Sequence, residues 1–364
     1  MQGPQAATAA AVAPSGRAWI QGQRWDLGWL IGSAIIVPAV LIAVWAGAGS
    51  MEINLGVTAI IGGPHLFSTY LATFGDARFR RRHMPLLAAV SLAVPALVVW
   101  GTLTNFQVLL SIFIFTASFH VLHQNAYLTD IYRRRSGLPE WRSARWIDYG
   151  LLLLCIYPIA SWKLVHSDFY LGEVEILLPP FLKIPATYYA VWAAFAFFLI
   201  LWTCKTVWEW RRGLLNRPKT LLIAITTVIA FFVPAAATGP RLELAFQSVN
   251  AWHSIQYLGI VWFILRMRKA RGELGDGLVK RLAGQGRASF YFYGFCFAVT
   301  LALLGTLITL ASADPWGLNF DQYYYMGVLS ALLVHYVLDA YLFTVSNLQG
   351  TRPEEIPFAI PAAA

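Results

Sequence analysis

Charge is scarce in this 364-residue chain: Asp, Glu, Lys and Arg together make up 12% of it, and only 18 residues are acidic. A soluble domain carries roughly twice that charged fraction, so an aqueous surface over the whole molecule is excluded. Cysteine is scarcer still, with Cys155, Cys204 and Cys296 far apart and without CxxC spacing. A disulfide framework and a thiolate zinc site are therefore not expected, and the three read as small hydrophobes. The first 25 residues, rich in Ala, Gln, Gly and Pro, lack the continuous apolar core of a secretory signal. Fixed-period repeats and paired broken helices of the inverted-repeat kind are also missing, and the longest outer segment, roughly 166–187, is too short for a soluble domain.

What the chain has is apolar length, with 58% of its residues hydrophobic. A hydrocarbon core about 30 Å thick needs roughly 20 apolar residues per helix. Ten such runs occur: Leu27 to Ala46, Ile53 to Phe74, Pro85 to Leu103, Phe106 to Leu128, Trp146 to Val165, Tyr188 to Trp210, Leu221 to Thr238, Ala245 to Leu265, Ser289 to Ala311 and Tyr323 to Ser346. The expected fold is all-α, a polytopic transmembrane helical bundle of about ten spans. It divides into a disordered cytoplasmic tail (1–25), a single transmembrane domain (26–347) and a cytoplasmic C-terminal tail (348–364).

Short cytoplasmic loops collect Lys and Arg, and the loops of this chain alternate in that sense. With the N-terminus inside, inner segments hold Arg78, Arg80, Arg81 and Arg82, then Arg133, Arg134 and Arg135, then Arg211, Arg212, Arg217 and Lys219, whereas outer segments hold only Lys163, Lys183 and Arg241. Both termini are thus expected on the cytoplasmic side of a multi-pass protein of a bacterial cytoplasmic membrane. The formal charge of +9 reflects this orientation, so nucleic acid is not an expected partner. The inner segment 266–287, with its glycines, reads as a flexible or surface-lying connection whose piece Leu278 to Leu282 could rest on anionic lipid. Asp130 and Asp148, beside Arg133 and Arg145, read as surface ion pairs.

Ionisable groups inside spans are costly, and they mark function. Five of the seven histidines fall there: His65, His120, His123, His253 and His335. His83 and His166 lie in or beside loops. The four helices that carry the five run in the same direction and place them near the midplane or in the inner half, so one shared cluster is geometrically possible. Polar residues accompany each at helical spacing. Thr116, His120, His123, Gln124 and Tyr127 form one stripe; Gln247, Asn250, His253, Gln256 and Tyr257 form a second; His335 pairs with Asp339; and Gly62, Gly63 and Pro64 predict a kink before His65.

Neutral imidazole ligates iron, copper and zinc, and its second nitrogen is held by a carboxylate, amide or carbonyl. His65, His120, His123, His253 and His335 are therefore the expected metal ligands, Gln256 and Asn250 the cofactor-supporting amides, and Asp339, Gln124 and Tyr257 the catalytic candidates. Trp252 and Phe119 are expected to line an apolar substrate cavity. Several imidazoles with few carboxylates suit non-haem iron, with copper or zinc as alternatives. The expected function is a membrane oxidoreductase acting on a lipid or isoprenoid substrate among membrane lipids, with a redox partner. Membrane desaturases, hydroxylases and carotene-cleaving oxygenases place histidines in helices too, but this chain has no HxxHH box, so the comparison is one of chemical class. Two other readings compete: haem held by two facing histidines, and a proton-coupled transporter using His335 and Asp339 as a relay.

Overall fold

Within an apolar medium a helix satisfies its own backbone polar groups, and the apolar runs fold accordingly. The computed structural model describes residues 18–156, 159, 169–237, 241–284 and 286–343. It is 82% helical, and the strands among the described residues are a two-stranded antiparallel ribbon, β1 (Tyr170–Leu171) and β2 (Val174–Glu175). The all-α expectation therefore stands.

Five helices are long and apolar enough to cross a membrane: α1 (Gln23–Trp45), α3 (Ala77–Ser136), α5 (Pro185–Arg211), α6 (Arg217–Ala236) and α9 (Arg287–Ala313). Their surfaces agree with that reading. Trp45 is 86% exposed, Ile35 75% and Phe290 79%, a degree of apolar exposure that water does not tolerate in continuous bands. Length and composition thus mark an integral membrane protein. Helix α3, 60 residues long, covers the third and fourth predicted spans and breaks at Asn105, which has φ −156° and ψ 77°. There the Asn105 side chain accepts from the Val108 amide at 3.1 Å and starts the second arm.

The remaining helices are more polar and more deeply packed. They are α2 (50–73), α4 (Ala144–Leu153), α7 (Arg241–Ala270), the short α8 (Leu278–Leu282) and α10 (Phe320–Phe343). Helix α7 runs through the interior, with Leu242, Leu244, Ala245, Trp252, Tyr257 and Leu265 all buried. A helix packed among other helices can carry polar side chains that pair within the bundle, and α2, α7 and α10, although each covers a predicted apolar run, are not among the five helices above. Helix α4 ends at Leu153, short of the predicted Val165, and most of residues 157–168 lie outside the described residues, as do Thr238 and 344–346 of two other predicted spans.

Several expectations are corrected by packing. Residues 1–17 lie outside the described residues, but packed structure is present before the expected boundary at 25: Trp19 and Ile20 are buried. Asp26 explains this, accepting from the amides of Ile20 at 2.6 Å and Gln21 at 3.0 Å and from the Tyr132 hydroxyl at 2.9 Å. The 266–287 connection is likewise held: Asp76 accepts from Arg268 at 2.5 Å and from the Gly275 amide at 3.0 Å, while Val279 and Leu282 of α8 are buried. Nor is Asp148 a surface residue. It is fully buried, with Lys205 at 2.5 Å, Arg133 at 2.9 Å and Lys219 at 3.2 Å. Asp130 pairs with Arg133 and with Arg145 at the edge of the same network.

The predicted kink at Gly62 to Pro64 takes the form of a π-helical turn, Thr58–Gly62, followed by the α-helical segment Gly63–Thr73. Pro64 has no N–H to give to the carbonyl four residues back, and the Tyr293 hydroxyl donates to that Ile60 oxygen at 2.6 Å instead. Gly63 is required by close approach, since a Cβ there would meet the Thr300 side chain at 2.1 Å. These two contacts dock α2 on α9 and set the direction of the turn that presents His65.

Candidate metal centre

Helices α2, α3, α7 and α10 each turn one histidine into a common space. The rings of His65 and His335 lie 4.6 Å apart, His120 and His253 4.9 Å, His120 and His335 5.1 Å, and His65 and His253 5.2 Å. His65, His253 and His335 are buried, and the His120 side chain is nearly so, at 9% exposed.

Hydrogen bonding fixes where two of the protons sit. The Gly62 carbonyl, 2.9 Å from His65 Nδ1, can only accept, so Nδ1 carries the proton and Nε2 keeps its lone pair. Ser254 Oγ lies 3.2 Å from the same Nδ1. His335 is fixed by a longer chain. Tyr257 donates its hydroxyl to Asp339 Oδ1 in a short contact, so the 2.5 Å contact between Thr69 and Tyr257 is made by the Thr69 hydroxyl. Thr69 Oγ1 is then the acceptor for His335 Nδ1 at 2.7 Å, and His335 Nε2 is also left with its lone pair.

These two Nε2 atoms face each other at 3.0 Å. Two lone pairs cannot hydrogen-bond, but one cation satisfies both: with metal–nitrogen bonds near 2.0–2.1 Å, two neighbouring ligands on one ion are separated by about 2.9–3.4 Å. Further unpartnered atoms surround them. His120 Nε2, both ring nitrogens of His253 and Asp339 Oδ2 are buried without a hydrogen-bond partner among the described residues. Each such group costs about 1–3 kcal/mol if left unmade. Asp339 Oδ2 is 3.6 Å from His120 Nε2.

Ligand atoms of His65, His120 and His253 all lie within 4.8 Å of one another, and so do those of His120, His335 and Asp339. Two ligands on opposite sides of one ion span about 4.2 Å, so small side-chain shifts bring either set onto a shared ion. The residues therefore fit a metal ion. They do not fit haem, because the four rings pack against one another at 4.6–5.2 Å and leave no slab for a macrocycle between facing histidines.

His123 does not join the cluster. The inward face of the second arm of α3 centres on Ala117, Val121, Gln124 and Leu128, all buried. His120 stands at the edge of that face, and at 100° per residue His123 turns about 60° further out, where it is exposed, as is Thr116. His83, on the first arm of α3, is not in the cluster either, and His166 lies outside the described residues.

The amides hold backbone instead of imidazole. Gln124 Nε2 donates to Gln256 Oε1 at 3.0 Å and to the His253 carbonyl at 3.3 Å, and Gln256 Nε2 donates to the Leu30 carbonyl at 2.5 Å. Together they lock α1, α3 and α7 at the level of His253. Asn250 is half-buried one turn away, and no hydrogen bond joins it to these residues. Trp252 is fully buried, but Phe119 is 55% exposed and faces away. Tyr336 takes the place expected for Phe119, stacked on His120 at 4.1 Å. Neither Tyr336 nor Ser254 was marked by the polar stripes, since Tyr336 adjoins His335 on the next face and reaches the site only because α10 lies against α3.

Tyr257→Phe removes the hydroxyl on which the orientation of His335 depends. Metal affinity is expected to fall about 10–100-fold without change in helix content, as checked by competition with a calibrated chelator. The chain matches no protein-family model, no curated protein and no solved structure.

Proposed function

We propose that this chain is a membrane oxidoreductase with a non-haem iron centre, acting on a lipid or isoprenoid substrate. The observation that carries the reading is the pair His65 Nε2 and His335 Nε2, facing each other at 3.0 Å among the unpartnered atoms of His120, His253 and Asp339. His65, His120, His253 and His335 would hold the ion, with Asp339 Oδ2 as an additional donor. Four imidazoles with one carboxylate suit iron better than the oxygen-seeking cations, with copper and zinc next. Bound there, iron supplies Lewis acidity and a one-electron couple.

The protein's own residues do the rest. Gly62 and Thr69 keep the protonated nitrogens of His65 and His335 turned away from the ion. Tyr257 holds Asp339 Oδ1, leaving Oδ2 free, and the Gln124–Gln256 pair fixes the backbone that carries His253. Substrate would approach along His120, whose side chain, 9% exposed, is the least buried of the four, beside the stacked Tyr336. The buried walls exclude water from the reacting atoms. In this reading the chain crosses a bacterial cytoplasmic membrane ten times with both termini inside, and electrons arrive from a separate redox partner. The alternation of Arg-rich and Arg-poor loops supports that orientation.

Elemental analysis with an absorption spectrum of the detergent-purified protein tests the proposal. The expected result is about one iron per chain and no Soret band. A Soret band, or no metal with all four histidines intact, would overturn it.

A further inference from the structure

A second concavity lies on the other side of the α2–α7 pair. About 330 Å³ in volume, it is lined by Trp25 and Trp29 of α1, Ile61 of α2, Leu258 and Trp262 of α7, and Phe292 of α9, among others. That volume falls in the range of ligand sites, and the lining is almost wholly apolar. From Ile255 to Trp262 on α7 it extends about 10 Å along the helix axis. The lining reaches the surface at Trp29 of α1, which is 41% exposed, and at Ile60 of α2, which is 55% exposed. Gly259 is needed there, since a Cβ at that position would press on the Trp29 side chain at 3.1 Å.

Two features show that the cavity is not simply a greasy cleft. Trp25 and Trp262 both line the slot, and their indole nitrogens are buried without a hydrogen-bond partner, so each ring carries a donor with no acceptor from the chain, one that a small turn of the ring would present to the slot. Three of the four lining helices, α1, α7 and α9, also carry an arginine at this end: Arg24 beside Trp25, Arg266 one turn beyond Trp262, and Arg287 two residues before Ser289. Arg266 lies 4.6 Å over the Trp262 ring, and no ion pair engages Arg24, Arg266 or Arg287 among the described residues. Asp26, the acid closest in sequence, is occupied by the amides of residues 20–22 and by Tyr132.

We propose that this cavity binds one molecule of an anionic phospholipid from the bilayer. One acyl chain would run along the Trp29, Ile61 and Leu258 wall, its ester oxygens would accept from the two indoles, and its phosphate would lie among the three arginines. The chemistry matches throughout: an apolar slot, then neutral donors at the depth of the ester groups, then cations at the surface. The site is distinct from the metal centre and does not rest on the iron reading, although the Thr58–Gly62 turn forms part of its wall and ends in the carbonyl that holds His65.

Native mass spectrometry of the full chain in detergent, titrated with dioleoyl phosphatidylglycerol or dioleoyl phosphatidylcholine, tests this. Retention of a single phosphatidylglycerol is expected, about tenfold tighter than phosphatidylcholine. Arg266→Gln should abolish that preference, and Trp262→Phe, which keeps the ring but loses the donor, should weaken both lipids several-fold. Ser289→Trp should fill the slot and remove the retained lipid. Equal retention of both lipids by the wild type, or wild-type binding by Arg266→Gln and Ser289→Trp together, would overturn the proposal. Arg266→Gln keeps the test open if Ser289→Trp fails to fold, because it breaks no ion pair and keeps a side chain of similar length over the Trp262 ring.

Discussion

His335→Ala is expected to purify with at least about 100-fold lower metal affinity than the wild type, because it removes a direct donor where removal of an outer partner already costs 10–100-fold. His253→Ala should behave alike. His123→Ala should keep the wild-type metal content, since that ring is exposed on another face of α3. Comparing the three proteins by elemental analysis after identical purification separates the geometric cluster from the five-histidine set of the sequence. Equal loss in His123→Ala would return that residue to the site, while retention of metal by both His335→Ala and His253→Ala would remove the centre altogether. Folding is not expected to be at stake, because a single histidine truncation leaves helix packing between α2, α7 and α10 in place.

The second large effect lies in the ion network where α3, α4, α5 and α6 meet. Asp148 is fully buried and contacts three cations, Lys205, Lys219 and Arg133, and Lys205 and Lys219 are each buried as well. Removing one member leaves its partners charged and desolvated, which costs about 3–5 kcal/mol. Asp148→Ala should therefore be among the most destabilising single substitutions outside the apolar core, measured by denaturant unfolding in mixed micelles. Adding Lys205→Met should restore part of the loss, because the buried ammonium, which then keeps only Glu209 at 3.4 Å, is gone. A change below about 1 kcal/mol for Asp148→Ala would mean that the network is solvated like an ordinary surface pair.

The same network is expected to weaken in acid. Burial opposes the ionised form of Glu140 in the loop after α3, but Lys219 and Arg133 outweigh it and hold its carboxyl below the usual carboxylate range. A depressed folded-state value means that the stabilisation is present above the unfolded pKa of about 4.3 and is lost as pH falls through the folded value.

The sequence alone determined the class of the protein and the residue types that gather at its centre. Bilayer-length apolar runs need no tertiary information, because each helix satisfies its own backbone. Buried imidazoles in otherwise apolar helices announce themselves by their cost. The i, i+4 relation of His335 to Asp339 and the Gly62 to Pro64 irregularity before His65 were legible for the same reason, since both are local.

Which histidines meet was decided only by the tertiary structure. His120 and His123 are indistinguishable by composition and depth, and the roughly 60° that separates them matters only once α7 and α10 define which side of α3 is inside. Thr69 joins the His335 to Asp339 chain, and Tyr336 covers His120, because elements some 200 or more residues apart in sequence lie side by side. Asp148 likewise read as a surface residue until α5 brought Lys205 over it. Periodicity fixes the direction of a side chain relative to its own helix axis. The rotation of each helix about that axis is set by its neighbours, and that rotation decided which histidines share the cluster.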